Sequence, residues 1–220
     1  MSGDETHSPS RYSGIAIALH WTIAGLIAVN LLGFVYFAHG VSPWARGILS
    51  PLHASSGLTI LGLTIVRIGW RVTHAPPVHS RAMRRWETVM AQLVHFGLYA
   101  AMIFMPLTGW AIVSAHPPSG SAGQRLAQSR APGTTTHKPP LRFWFVTSFP
   151  VIEPIAAIGA TPGGVGPQER VHEDFVRWHA LGAMLFTTLL VLHVLAALKH
   201  DFLDGYPELS RMGLGSRSDS

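Results

Sequence analysis

Four long apolar stretches of the chain contain no charged residue. These stretches lie between Arg11 and Arg46, Arg46 and Arg67, Glu87 and Arg125, and Arg177 and Lys199. A helix needs about 20 consecutive apolar residues to cross a bilayer, and each stretch contains a run close to or above that length. The pattern predicts an all-α membrane protein built as a bundle of four transmembrane helices, near residues 14–38, 52–72, 89–114 and 176–199.

The distribution of basic residues predicts how the spans are oriented. The positive-inside rule places the more basic short loops in the cytoplasm. Basic residues gather after span two and after span four, whereas the loop between spans one and two carries only Arg46. We therefore expect a cytoplasmic tail over residues 1–13, a transmembrane domain over 14–199 and a cytoplasmic tail over 200–220. The start of the chain is polar, with Asp4 and Glu5, so span one is not expected to be a cleaved signal.

The connection between spans three and four, residues 115–175, is long and rich in Pro, Gly and Ser, and we expect it on the periplasmic side. Within it, RFWFVTSFPVIEPIAAIG is aromatic and apolar but interrupted by Pro150, Glu153 and Pro154. The segment could form a fifth span. An interfacial segment is the favoured interpretation, because Trp and Phe concentrate at that layer of the membrane.

The composition of the chain limits the cofactors and partners that it can bind. Charged residues make up 12% of the chain, about half of the ~25% usual in soluble domains. The chain has no Cys, which excludes disulfides, iron–sulfur clusters and covalently attached c-type haem. It has 13 His against 11 carboxylates. The sparse, scattered charges argue against a nucleic-acid partner.

Histidines occur within or at the ends of all four spans, and such groups usually face the interior of a bundle and mark function. His179 and His193 are fourteen residues apart, so they lie about 40° apart around the helix and ~21 Å along it. His20 is at the depth of His193, and His53 is at the depth of His179. Two pairs at two depths suit two b-type haems stacked across the bilayer. One haem, a zinc or copper site, and a metal or proton transport path remain as alternatives.

Several stretches resemble the prokaryotic cytochrome b561 family of four-helix, di-haem inner-membrane proteins. They are RYSGIAIALHW in span one, LHASSGLTILGLTIVRIGWR in span two, HFGLYAAMIFMPLTG in span three and WHALGAMLFTTLLVLHVLAALKH in span four. The resemblance implies that His20 and His193 bind iron of a cytoplasmic-side haem, and that His53 and His179 bind iron of a periplasmic-side haem.

The resemblance also implies a quinone site beside the inner haem. His95 and His200 would border it, with Arg84 as the basic residue from the loop between spans two and three. The alternatives are that His95 packs in the bundle and that His200 is a solvated end residue. Arg67 and Arg71 share a helical face, where they could pair with haem propionates or anchor the helix to lipid headgroups.

The function that the resemblance implies is electron transfer between a periplasmic donor or acceptor and the quinone pool. Its enzymatic form would be superoxide oxidation coupled to ubiquinone reduction, with no catalytic side chain assigned. The alternative is a non-catalytic membrane anchor that relays electrons for a partner dehydrogenase. Residues 116–141 depart from compact family members and resemble an insertion.

Overall fold

The computed structural model describes residues 12–38, 42–74, 84–130, 141–205 and 208–214. Most of the 1–13 tail, the end of the C-terminal tail, Arg81 and residues 131–140 of the expected insertion lie outside these ranges. The elements are α1 (Gly14–Ala38), α2 (Pro43–Thr73), α3 (Arg85–Ser114), α4 (Ala122–Arg130), β1 (Arg142–Phe143), β2 (Thr147–Ser148), α5 (Glu153–Ile158), a 3₁₀ turn (Pro162–Gly164), α6 (Val165–Phe202) and α7 (Glu208–Arg211).

Four helices, α1, α2, α3 and α6, are long and apolar enough to cross a membrane, as predicted. Helix α1 has the predicted bounds. The other three begin at Pro43, Arg85 and Val165, earlier than the predicted spans at 52, 89 and 176. Charged residues stop a hydrophobic stretch but do not stop a helix, because a helix that leaves the bilayer can continue in water.

The outward faces of these helices are apolar. On α6, Met184 and Leu185 are each 61% exposed, and Leu181 and Leu195 are also largely exposed. A soluble helix of this length would turn such a row toward a core, whereas a membrane helix presents it to lipid. The exposed apolar surface therefore agrees with a multi-pass membrane protein.

The chain divides into two compact units, and each of the four long helices contributes to both. The first comprises the described residues of Met1–Gly25, Gly62–Ala101 and Leu185–Ser220. Here the start of α1 meets the end of α2, because the indole of Trp70 donates a hydrogen bond of 3.1 Å to the Ser13 hydroxyl. The indole of Trp21 donates to the carbonyl of Met212, at 2.9 Å. The segment after α6 therefore lies against the first turns of α1.

The second unit comprises Leu26–Leu61 and Met102–Met184. It contains a two-stranded hairpin, β1–β2, in which Arg142 pairs with Ser148. The segment after the hairpin is fixed to α3, since Trp110 donates to the carbonyl of Pro150 and the Ile152 amide donates to the Ser114 hydroxyl, both at 2.9 Å. No fifth spanning helix occurs among the described residues. The aromatic stretch instead forms the hairpin, an extended segment and the short helix α5.

The start of α6 is held within this second unit. Gln168 is buried, and its amide donates to the carbonyls of Ile155 and Ala156, at 3.0 Å each. A side chain at Gly123 would collide with the carbonyl oxygen of Gly159. Glycine at position 123 thus permits the close approach of α4 to the turn that follows α5.

Candidate functional site

The first unit brings His20 and His193 together. His20 lies in the second turn of α1 and His193 in the last third of α6. Their ring centroids are 6.4 Å apart, with the ring planes at 66°. Both side chains are half-buried. The structure therefore places these two histidines together as the sequence predicts.

The second unit brings His53 and His179 together in the same manner. Their ring centroids are 6.1 Å apart and their planes are at 71°. His53 lies two residues after Pro51 on α2, and His179 lies on α6. Two histidine pairs of nearly equal spacing are thus formed, each from two different helices.

The spacing of each pair fits two imidazoles on opposite sides of one metal ion. An imidazole nitrogen lies about 2 Å from a bound metal, and about 1.1 Å from its own ring centroid, so opposed ligands have centroids about 6 Å apart. Histidine rings in direct edge contact are closer, as in the pair of His116 and His172, with centroids 5.2 Å apart. The 6.1 and 6.4 Å pairs therefore have the centroid spacing expected of two opposed ligands, and the 5.2 Å pair does not.

The number of protein ligands favours haem over zinc. A structural zinc ion takes four protein ligands and a catalytic one takes three. Within the described ranges, no group of three or more His, Cys, Asp or Glu residues could hold a metal ion. A haem iron needs only two ligands from the protein, because the porphyrin supplies the other four. The chemistry of the donor set thus fits b-type haem.

Two glycines lie close to the residues of the second pair. Gly57 lies one turn after His53 on α2, and a Cβ at this position would meet nothing within 4 Å. On the other side, a Cβ at Gly109 would lie 3.3 Å from His179 Cε1. The small residue at 57 leaves open space, and the one at 109 makes room for the His179 ring.

Thr108 orients His179, and the sequence interpretation missed it. Its hydroxyl oxygen lies 2.9 Å from His179 Nδ1 and 3.0 Å from the carbonyl oxygens of Phe104 and Met105. The hydroxyl has one hydrogen, which the carbonyls of Phe104 and Met105 can share, and its oxygen then accepts from His179 Nδ1–H. The neutral ring then carries its lone pair on Nε2, the nitrogen left to bind a metal.

The first pair has a charged neighbour. Arg67 Nε donates a hydrogen bond of 2.9 Å to the hydroxyl of Tyr99, and its positive charge acts on both His20 and His193. Arg71 lies one turn later on α2. Of these two arginines, Arg67 is half-buried and Arg71 is exposed.

His95 lies against the ring of His193. The two centroids are 5.1 Å apart, with the planes at 81°, which is the distance of direct ring contact. His95 Nδ1 donates to the carbonyl oxygen of Ala91 at 2.6 Å, so in the neutral ring Nε2 is a hydrogen-bond acceptor. Of the two histidines expected to border a quinone, this one touches a histidine of the first pair.

His200 and Arg84 belong to a separate polar network. His200 Nδ1 lies 2.7 Å from Asp204 Oδ2, which also accepts a 2.6 Å hydrogen bond from Lys199 Nζ. Lys199 also lies 3.3 Å from Glu87, whose second carboxylate oxygen accepts from the backbone N–H of Arg84. The network therefore ties the end of α6 to the first turn of α3, where Glu87 caps the helix.

Asp204 lies beyond the end of the spanning helix α6. The hydrogen bond from the Lys199 ammonium, followed by the one from His200, holds the pKa of the Asp204 carboxyl below its ordinary value. The carboxylate is thus charged at neutral pH and keeps the two basic side chains beside it. Neither Glu87 nor Asp204 was singled out by the sequence interpretation, because single acidic residues near helix ends carry no special pattern.

Comparison with known proteins agrees with this geometry. The sequence profile of prokaryotic cytochrome b561 matches residues 11–215. The chain is also similar to cytochrome b561 homolog 2 of Escherichia coli (strain K12), with 26% identity over 219 residues that cover 97% of each chain. The profile covers all four long helices and all four paired histidines. The chain belongs to the prokaryotic cytochrome b561 family, and it is a multi-pass membrane cytochrome that binds b-type haem and transfers electrons.

Proposed function

We propose that the chain holds two b haems, one between His20 and His193 and one between His53 and His179. The observation that supports this proposal is the spacing of the two histidine pairs, 6.4 and 6.1 Å between ring centroids. Each pair takes its members from two different helices.

When bound, haem would supply one-electron transfer, and the two histidine pairs would hold its iron. The protein side chains determine position and potential. Thr108 keeps His179 in the tautomer that offers Nε2, and Arg67 places a positive charge beside the first pair. That location supports a contact with a haem propionate for Arg67. The exposure of Arg71 supports contact with lipid headgroups instead.

The electron acceptor that we propose is ubiquinone, bound near His95, His200 and Arg84. Two superoxide ions would each lose one electron to become dioxygen, and one quinone would take up the two electrons and two protons to become quinol. The ring contact between His95 and His193 supports a quinone beside the first pair. The 2.7 Å hydrogen bond between His200 Nδ1 and Asp204 Oδ2 fixes the His200 ring at the end of α6.

The haem count is tested by a pyridine haemochrome assay on detergent-purified protein. We expect two haems per chain, one haem in either His53→Ala or His179→Ala, and one haem in His20→Ala. The matched control is His116→Ala, which removes a ring from the 5.2 Å pair and should leave both haems bound. Two haems in the His53→Ala and His179→Ala proteins would show that this ligand pair is wrong.

The partners are tested on the same protein with the haems intact. Superoxide generated in solution should reduce the haems, and added ubiquinone should reoxidise them with formation of quinol. The His95→Ala protein should keep its haem content and lose quinol formation. The alternative is a non-catalytic membrane anchor that relays electrons for a dehydrogenase. It would be supported if superoxide did not reduce the haems and the protein copurified with a soluble dehydrogenase.

We also propose that both termini lie in the cytoplasm of a bacterial inner membrane, with residues 115–175 periplasmic. The support is the distribution of basic residues. Several follow α2 and several follow α6, whereas Arg46 is the single basic residue between the first two apolar stretches. Reporter fusions that are active only in the periplasm should be inactive after residue 220 and active when inserted near residue 129. The opposite pattern would reverse the orientation.

A further inference from the structure

The tip of the β1–β2 hairpin has a strained backbone built from aromatic residues. Trp144 and Phe145, the two central residues of the turn, have φ values of 47° and 63°. The turn is closed by a 3.0 Å hydrogen bond from the Val146 amide to the Phe143 carbonyl. Asn and Gly usually occupy such positions, because side chains with a bulky Cβ substituent are disfavoured at positive φ. Two adjacent aromatic residues there require contacts that hold them in place.

Those contacts come from the spanning helix α2. The Trp144 amide donates to the Ser55 hydroxyl at 2.8 Å, and its indole N–H donates to the Thr59 hydroxyl at 3.1 Å. Ser55 is completely buried. It follows His53 by two residues, which is about 200° around a helix. The hairpin therefore lies on the side of α2 opposite to the His53 side chain.

The contact lies within the apolar part of α2. Thr59 is thirteen residues after Arg46, or about 20 Å along the helix, and the next charged residue is Arg67. The indole of Trp144 thus contacts a part of α2 that has no charged residues and is apolar enough to lie in the bilayer. The two residues that follow it point away from the protein, with Phe145 45% and Val146 77% exposed.

The base of the hairpin carries a cation. Arg142 Nη2 donates a 2.7 Å hydrogen bond to the carbonyl oxygen of Val146, so this tip carbonyl has a partner without needing water. Arginine at the membrane boundary keeps its charge among headgroups while its neighbours enter the apolar layer. Trp is enriched at that boundary, where its amphipathic ring lies at headgroup level.

We propose that the tip, residues 143–146, inserts into the lipid at the membrane interface beside α2 and anchors the connection between α3 and α6. Trp144 fixes the depth through Thr59, Phe145 and Val146 contact acyl chains, and Arg142 stays at headgroup level. The partner is therefore lipid rather than a soluble protein. This proposal depends on the membrane character of the chain and not on the assignment of haem ligands.

The test uses a spin label, because the chain has no Cys and a single introduced thiol is unique. The Val146→Cys protein is labelled with a nitroxide and placed with its haems in nanodiscs of phosphatidylcholine and phosphatidylglycerol, one chain per disc. Power saturation then compares collisions with oxygen, which concentrates in lipid, and with a water-soluble nickel chelate. The nitrogen-equilibrated sample subtracts relaxation caused by haem iron.

Two controls define the scale. Leu185→Cys is exposed on the apolar face of α6 and serves as the lipid reference, and Ser129→Cys is exposed on the polar helix α4 and serves as the water reference. The ratio of oxygen to nickel collisions for position 146 should lie close to that of position 185. A ratio equal to that of position 129, or exclusion of both reagents, would overturn the proposal, because the tip would lie in water or against protein.

Discussion

Removal of the Thr108 hydroxyl provides a test of how His179 is held. Thr108 is 4% exposed, and its oxygen lies 2.9 Å from His179 Nδ1. The Thr108→Val substitution keeps the shape of the side chain and deletes the acceptor. The Nδ1–H then remains in a buried site without this partner, which costs about 1–3 kcal/mol. This cost should reduce the affinity for haem, because His179 would have to hold Nε2 toward the haem iron without the Thr108 hydrogen bond.

The expected effect is therefore a selective weakening of one haem site. Loss of a hydrogen bond behind a ligating histidine typically lowers metal affinity about 10–100-fold, in agreement with about 1.4–2.8 kcal/mol. The midpoint potential of that haem should also rise, because the ring without an acceptor at Nδ1 is a weaker donor to ferric iron. The carbonyl of Met105 also interacts with the His179 ring and limits the size of the effect.

Haem release to an excess of apomyoglobin measures the affinity, and a potentiometric titration followed in the α-band measures the potential. Thr108→Ser retains the hydroxyl and is the matched control, so its release rate and potential should stay close to those of the parent protein. The reasoning is refuted if the Val and Ser proteins release haem equally fast and titrate at the same potentials.

Three further outcomes follow from other contacts. Gly109→Ala places a Cβ 3.3 Å from His179 Cε1, so this protein should bind less haem, by a smaller factor than Thr108→Val, in the pyridine haemochrome assay. Arg67→Leu removes a positive charge that acts on His193, so one of two midpoint potentials should fall while the other is unchanged in a redox titration. The pKa of Asp204 is lowered in the folded protein, so its charged carboxylate stabilises the fold. This stabilisation is fully present above the ordinary carboxyl pKa of about 3.9 and is lost as the pH falls through the lowered pKa. Thermal unfolding should therefore show Asp204→Asn less stable than the parent protein at pH 7, and equally stable once the carboxyl is protonated.

The sequence was sufficient to predict the four spanning helices because lack of charge over about 20 residues is a physical requirement of the bilayer. It could not predict where the helices begin. Helix α6 starts at Val165 and runs through Glu169, Arg170 and Glu173 before its apolar part. Charged residues mark where the chain leaves the membrane, but the helix itself extends to the point where its free backbone groups are capped. For α3 this cap is Glu87, which accepts a hydrogen bond from the Arg84 amide.

The partners of the histidines were predictable only in part. Depth along each span follows from residue number, so the pairs of His20 with His193 and of His53 with His179 could be anticipated, and the structure brings both pairs together. Rotation of one helix about its axis relative to another cannot be read from one sequence. The contact of Thr108 with His179, 71 residues away along the chain, depends on that rotation.

The two histidine pairs have different surroundings, and on the proposed ligand assignment this difference would give electron flow a direction. A positive charge close to a haem favours its reduced form, because reduction removes one unit of positive charge from the iron. Arg67 supplies such a charge to His20 and His193, whereas His179 in the other pair has the neutral hydroxyl of Thr108 beside it. On the proposed ligand assignment, the haem of the first pair should have the higher potential. Electrons would then move spontaneously toward the unit that contains His95, where we propose that the quinone binds.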